Sequence, residues 1–169
     1  ANAVNYEHVT YEGYGPSGIA IIVEALTDNK NRTASNVRNA FTKGNGSLGT
    51  SGCVSYMFER KGLIIIEKTD AVDEDALMEV GMEAGMEDMQ VLEDSYEIYT
   101  SVEDFNAVSS ALREAGYEFV EADIEYLPSM ESTPTEESDI KALKKMIADL
   151  EDNDDVQKVT TNCSLDLED

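Results

Sequence analysis

Between Leu63 and Leu127 the chain reads β-α-β-β-α-β, and that order restricts the possible folds more than any other feature of the sequence. GLIIIEK is a strand, and DEDALMEVGMEAG is a helix with its acids at the N-terminal end, where they complement the helix dipole. MQVLED and SYEIYT are paired strands meeting around Asp94 and Ser95, VEDFNAVSSALREAG is a second helix, and YEFVEADIEYL closes the sheet. This order is the split β-α-β arrangement of ferredoxin-like folds.

The flanking segments carry a second set of elements. Tyr6 to Tyr14, YEHVTYEGY, is a strand of aromatic and β-branched residues ended by Gly15, Pro16, Ser17 and Gly18. GIAIIVEALT, from Gly18 to Thr27, is apolar on both faces except for Glu24, as expected of a central strand covered on two sides. NRTASNVRNAFTKG predicts a helix with Thr33 as N-cap, an apolar face of Val37, Ala40 and Phe41, and Gly44 at C′. CVSYMFERKG then places Val54, Tyr56 and Phe58 on one face of another strand.

After Pro128 a polar linker, SMESTPTEES, leads to a helix opened by a capping box of Thr133, Pro134 and Glu136. Its buried stripe is Ile140, Leu143, Ile147 and Leu150, its wet face Lys141, Lys144 and Lys145, and the strand VQKVTTN follows Asp155. The first module alone has three strands and one helix, so one face of its sheet is thinly covered until the C-terminal helix and strand return to it. The expected fold class is therefore α+β, with two α/β sandwich-like domains. A ferredoxin-like domain over 63–127 is inserted into a discontinuous α+β host domain formed by 1–62 and 128–169.

Charge follows the same division. The 169 residues carry a formal net charge of -24. Ala1 to Gly62 holds six Lys or Arg against five Asp or Glu, Leu63 to Leu127 two against nineteen, and Pro128 to Asp169 four against twelve. Nucleic-acid binding depends on neutralising phosphates with Lys and Arg, so an anionic partner is expected on the first segment and repelled by the insert.

Cys53 and Cys163 form no C-x-x-C pattern, no apolar run approaches the ~20 residues that cross a bilayer, and the expected setting is cytoplasmic, without membrane contact. A chain that opens on Ala1 rather than Met reads as the later part of a longer protein.

Catalytic and cofactor chemistry finds little support. Gly44, Gly46 and Gly49 have the G-x-G-x-x-G spacing, but the stretch leaves a helix and enters a strand, the reverse of a dinucleotide-binding loop. His8 is the only histidine, and no Ser/His/Asp or Cys/His set can be assembled around it. Asp152 to Asp155 lack the glycine and the bidentate glutamate of a calcium loop. Met78, Met82, Met86 and Met89 recur near helical spacing, and gap-filling in the core is favoured over a soft-metal or peptide-binding groove. No enzyme activity, cofactor or metal is expected. What remains is a basic constellation of Lys30, Arg32, Arg38, Lys43, Arg60 and Lys61, interleaved with Asn31, Asn36 and Asn39. It reads either as a nucleic-acid or ribosome contact or as an ordinary solvated surface.

The segments YEGYGPSGIAIIVEALTDNKNRTASNVRNAFTKGNGSLGTSGCVSYMFERKG, DEDALMEVGMEAGMEDM and LEDNDDVQKVTTN resemble the YebC family, whose mitochondrial members are translational activators of a cytochrome oxidase subunit. The resemblance covers nearly the whole chain. It implies three domains, in which a basic helical N-terminal domain precedes two α/β domains, one inserted in the other; this chain resembles a fragment that begins in the linker after that first domain. It further implies a non-enzymatic regulator of gene expression, a DNA-binding transcriptional regulator, that meets nucleic acid chiefly through the domain this chain lacks. A ribosome-associated translation factor is the alternative, a small-molecule-sensing module a third reading, and the acidic insert is free to recruit a protein partner.

Overall fold

The computed structural model describes residues 5–167. In chain order its elements are β1 (Glu7–Tyr14), β2 (Ala20–Thr27), α1 (Lys30–Lys43), β3 (Ser47–Leu48), β4 (Phe58–Glu67), α2 (Glu74–Ala84), β5 (Asp88–Val91), β6 (Ser95–Thr100), α3 (Phe105–Glu114), β7 (Glu121–Pro128), α4 (Glu137–Glu151) and β8 (Val156–Thr161). They form two compact units: Arg60–Leu127, and the described residues on either side of it. No helix among the described residues is long and apolar enough to cross a membrane.

The sheet of the flanking unit runs β3-β1-β2-β8, with each described pairing antiparallel. Strand alternation sends Ile19, Ile21 and Val23 to the face covered by α1 and α4, where they meet Val37, Phe41, Leu143 and Met146. The intervening Ala20 and Ile22 are equally buried on the opposite face. β2 is thus central and covered on both sides, as its apolar composition requires. Burial of each large side chain in this core contributes roughly 1.5–3 kcal/mol relative to exposure.

The sheet of the other unit runs β5-β6-β4-β7. With β4 the first of its strands, this is the ferredoxin-like order, and the two helices bury Leu77, Val108 and Leu112 against Ile64, Ile66, Tyr96 and Ile98. Asp73 caps α2 by accepting from the Ala76 amide, and Gly85 ends the helix in the left-handed region at φ 112°. The α+β class expected from the sequence is the one observed, and the second compact unit begins at Arg60 rather than at the expected Leu63.

Several local expectations fail for identifiable reasons. Residues 53–57 are not strand: Ser55–Met57 is a 3-10 turn, Val54 is buried and Tyr56 is 64 % exposed. The backbone curls there because Glu12, buried on β1, draws the amides of Gly52, Val54 and Ser55 to its carboxylate. Helix α1 starts three residues earlier than Thr33, capped by Asn29. Helix α4 begins at Glu137 after Glu136, with no side-chain cap. Thr133 instead lies in an extended stretch that follows 162–164, where Ser132 N–H donates to Asn162 O and Ser164 N–H to Ser132 O. The buried stripe of α4 is Leu143, Met146 and Leu150, with Met146 packed against Gly44 and Gly46.

Candidate nucleic-acid interface

Helix α1 follows directly from its sequence. Asn29, in extended conformation, accepts from the Arg32 amide at 3.1 Å, and Val37, Ala40 and Phe41 bury one stripe. The helix contains four basic residues and no acid. Its outward face therefore consists of Asn31, Ser35, Arg38, Asn39, Thr42 and Lys43, all exposed. Lys43 sits in the last turn, where it complements the negative end of the helix dipole.

The six basic residues picked out by sequence have different local partners. Lys30 pairs with Glu7 at 2.6 Å, both well exposed. Arg32 is clamped between Asp28 at 2.8 Å and Asp155 at 2.9 Å. Arg60 and Lys61 belong to the ferredoxin-like unit, where the Arg60 guanidinium stacks over the Tyr126 ring at 5.4 Å and Lys61 pairs with Glu87. Arg38 and Lys43 are exposed and make no ion pair among the described residues.

Two acids that the sequence reading left unassigned organise the surroundings. Asp155 is the inward member of the Asp152–Asp155 run and is 9 % exposed. Its carboxylate accepts from Arg32 Nη2 at 2.9 Å, Arg32 Nε at 3.2 Å and Thr33 Oγ1 at 2.8 Å, while its backbone oxygen accepts from Leu26 N–H at 2.8 Å. The Arg32 hydrogen bonds hold the Asp155 carboxyl below its ordinary range despite burial, and the same contacts raise Arg32 further. This fork fixes the start of α1 to the end of β2 and the turn before β8. For Glu12, burial pushes the carboxyl up, but the amides of Gly52, Val54 and Ser55 outweigh it and leave the group below its ordinary value.

The glycine stretch has a packing explanation. A Cβ on Gly46 would lie 2.3 Å from Tyr14 O, and one on Gly49 would lie 2.6 Å from Cys53 Sγ, so the spacing permits close approach to β1 and the following loop. Elsewhere, a cleft of ≈ 450 Å³ in the ferredoxin-like unit has Ile66, Val72, Tyr117 and Phe119 among its walls. The Thr69 hydroxyl oxygen among its walls accepts from the Ala71 amide at 3.3 Å.

A family model described as "TACO1/YebC second and third domain" matches residues 6–163. The chain belongs to the TACO1/YebC family. A "Probable transcriptional regulatory protein" of Agathobacter rectalis is 56 % identical over 162 residues, which are 95 % of this chain and 67 % of the relative. One from Clostridioides difficile is 52 % identical over 158 residues, 94 % of this chain and 66 % of the relative. The crystal structure of the conserved hypothetical protein Aq1575 from Aquifex aeolicus superposes with a TM-score of 0.82 at 41 % identity, covering 97 % of this chain and 67 % of that one. The chain thus spans about two thirds of the length of the TACO1/YebC relatives it matches.

Proposed function

We propose that this TACO1/YebC chain is a non-enzymatic regulator of gene expression that contacts nucleic acid through the outward face of α1, with Arg38 and Lys43 on phosphates and the neighbouring amides and hydroxyls as neutral donors. The observation that carries the reading is the composition of that face: two exposed cations unpaired among the described residues, and no acid anywhere on the helix. Lys30 and Arg32 are already neutralised within the unit and contribute less. The relatives are named probable transcriptional regulatory proteins, and DNA is the target this reading takes first. The remaining third of the relatives' length supplies most of the affinity in this reading, because two phosphate contacts alone bind weakly at physiological salt.

The salt dependence of binding tests the proposal, measured by titrating duplex DNA and, separately, single-stranded RNA into the full-length protein. Arg38→Glu/Lys43→Glu is expected to lower the slope of log K against log salt by about two units and to weaken binding by about tenfold or more. Both side chains are exposed, so the fold should survive. Neutralising Asp73, Glu74 and Asp75 should leave the slope unchanged. An unaltered slope in a folded double variant would reduce the α1 face to solvated surface. Tighter binding to RNA than to DNA would favour the ribosomal reading of the same surface.

A further inference from the structure

Two of the four methionines along and just beyond α2 stay out of the core. Met78 is 37 % and Met82 65 % exposed, whereas Met86 and Met89 pack against the core of the ferredoxin-like unit. Met78 and Met82 are one turn apart, so their side chains lie next to each other on the helix surface. Glu74, Asp75, Glu79 and Glu83 surround the pair; all four are exposed, and α2 contains no Lys or Arg.

We propose that the Met78–Met82 shoulder of α2 is a docking surface for a basic amphipathic helix of a partner protein. Apolar side chains of that helix, three or four residues apart, cover the methionines, and its Lys and Arg residues meet Asp75, Glu79 and Glu83. Methionine suits such a surface because its flexible, polarisable side chain adapts to the shape of an incoming residue. Charge selects the occupant: between Leu63 and Leu127 there are nineteen acids and two bases, so a second copy of this unit and nucleic acid are both repelled. A cationic helix with an apolar stripe satisfies both components of the surface. This contact is independent of the α1 interface.

The test titrates the chain with a synthetic amphipathic helical peptide of leucine and lysine while recording methionine methyl NMR spectra and fluorescence anisotropy. The Met78 and Met82 methyl signals are expected to shift saturably while those of Met86, Met89 and Met146 stay in place. Met78→Gln/Met82→Gln, which touches only exposed positions, is expected to weaken binding about tenfold, as is replacing the peptide's leucines by alanine at equal charge. The proposal is overturned by the absence of saturable binding, by an alanine–lysine peptide that binds equally well, or by affinity indifferent to the methionine substitutions. It is also overturned if the same methyl signals shift with protein concentration alone, which would assign the shoulder to self-association.

Discussion

Asp155→Ala should destabilise the flanking unit by about 3 kcal/mol, the range expected when a buried, hydrogen-bonded ion pair loses one partner. The substitution takes away the carboxylate that accepts from the buried Thr33 hydroxyl, leaving that hydroxyl with Thr27 Oγ1 and Asn29 O, and releases both arms of the Arg32 fork. The figure lies at the low end of that range because the Arg32 side chain is 45 % exposed and regains water when freed. Residue-resolved hydrogen exchange should show lost protection at the first turn of α1 and in β8, with the amides of Ile64 and Ile98 unaffected. Asp154→Ala, one residue earlier and exposed, should change stability by less than about 0.5 kcal/mol. Equal effects at the two positions would mean that Asp155 is not the clamp.

Glu12→Ala is expected to cost about 3 kcal/mol as well, since it takes the carboxylate acceptor from the amides of Gly52, Val54 and Ser55, of which Val54 is buried. Its pH dependence provides a second, independent reading. The folded carboxyl titrates below its ordinary value of 4.5, so its contribution is fully present above that value and is lost as the pH falls through the lower folded one. The stability difference between the wild type and Glu12→Gln, measured by denaturant unfolding, should therefore be constant at neutral pH and shrink below pH 4.5. A difference that grows on acidification would contradict the assignment.

The order of elements was legible because it rests on periodicity, which packing rarely overrides in long elements: α2 runs from its Asp73 cap to Gly85, and the stripe of Val37, Ala40 and Phe41 is buried as its spacing implies. Failures arose where a distant side chain determines local backbone. Nothing in CVSYM reveals that Glu12, some forty positions earlier, will gather its amides, so a plausible alternating strand becomes a turn. Thr33 reads as a cap, yet its hydroxyl is drawn to Asp155 more than a hundred positions later, and the cap moves to Asn29. The same long-range pairing separates the basic residues. Composition could count Lys30, Arg32, Arg38 and Lys43 together, but only coordinates distinguish cations already paired from those exposed and unpaired among the described residues. The core reading of the methionines holds for Met86 and Met89 and fails for Met78 and Met82, because helical spacing cannot say which side of α2 is covered until the sheet is in place.

The central claim is that charge assigns nucleic acid to α1 and excludes it from the inserted unit. Photo-crosslinking the full-length protein to nucleic acid in cells, followed by mass-spectrometric mapping of the modified residues, tests it most directly. The account predicts adducts within residues 31–43, none within residues 74–84, and loss of the α1 adducts in the Arg38→Glu/Lys43→Glu protein. Adducts concentrated in Arg60–Leu127, with none on α1, would contradict it.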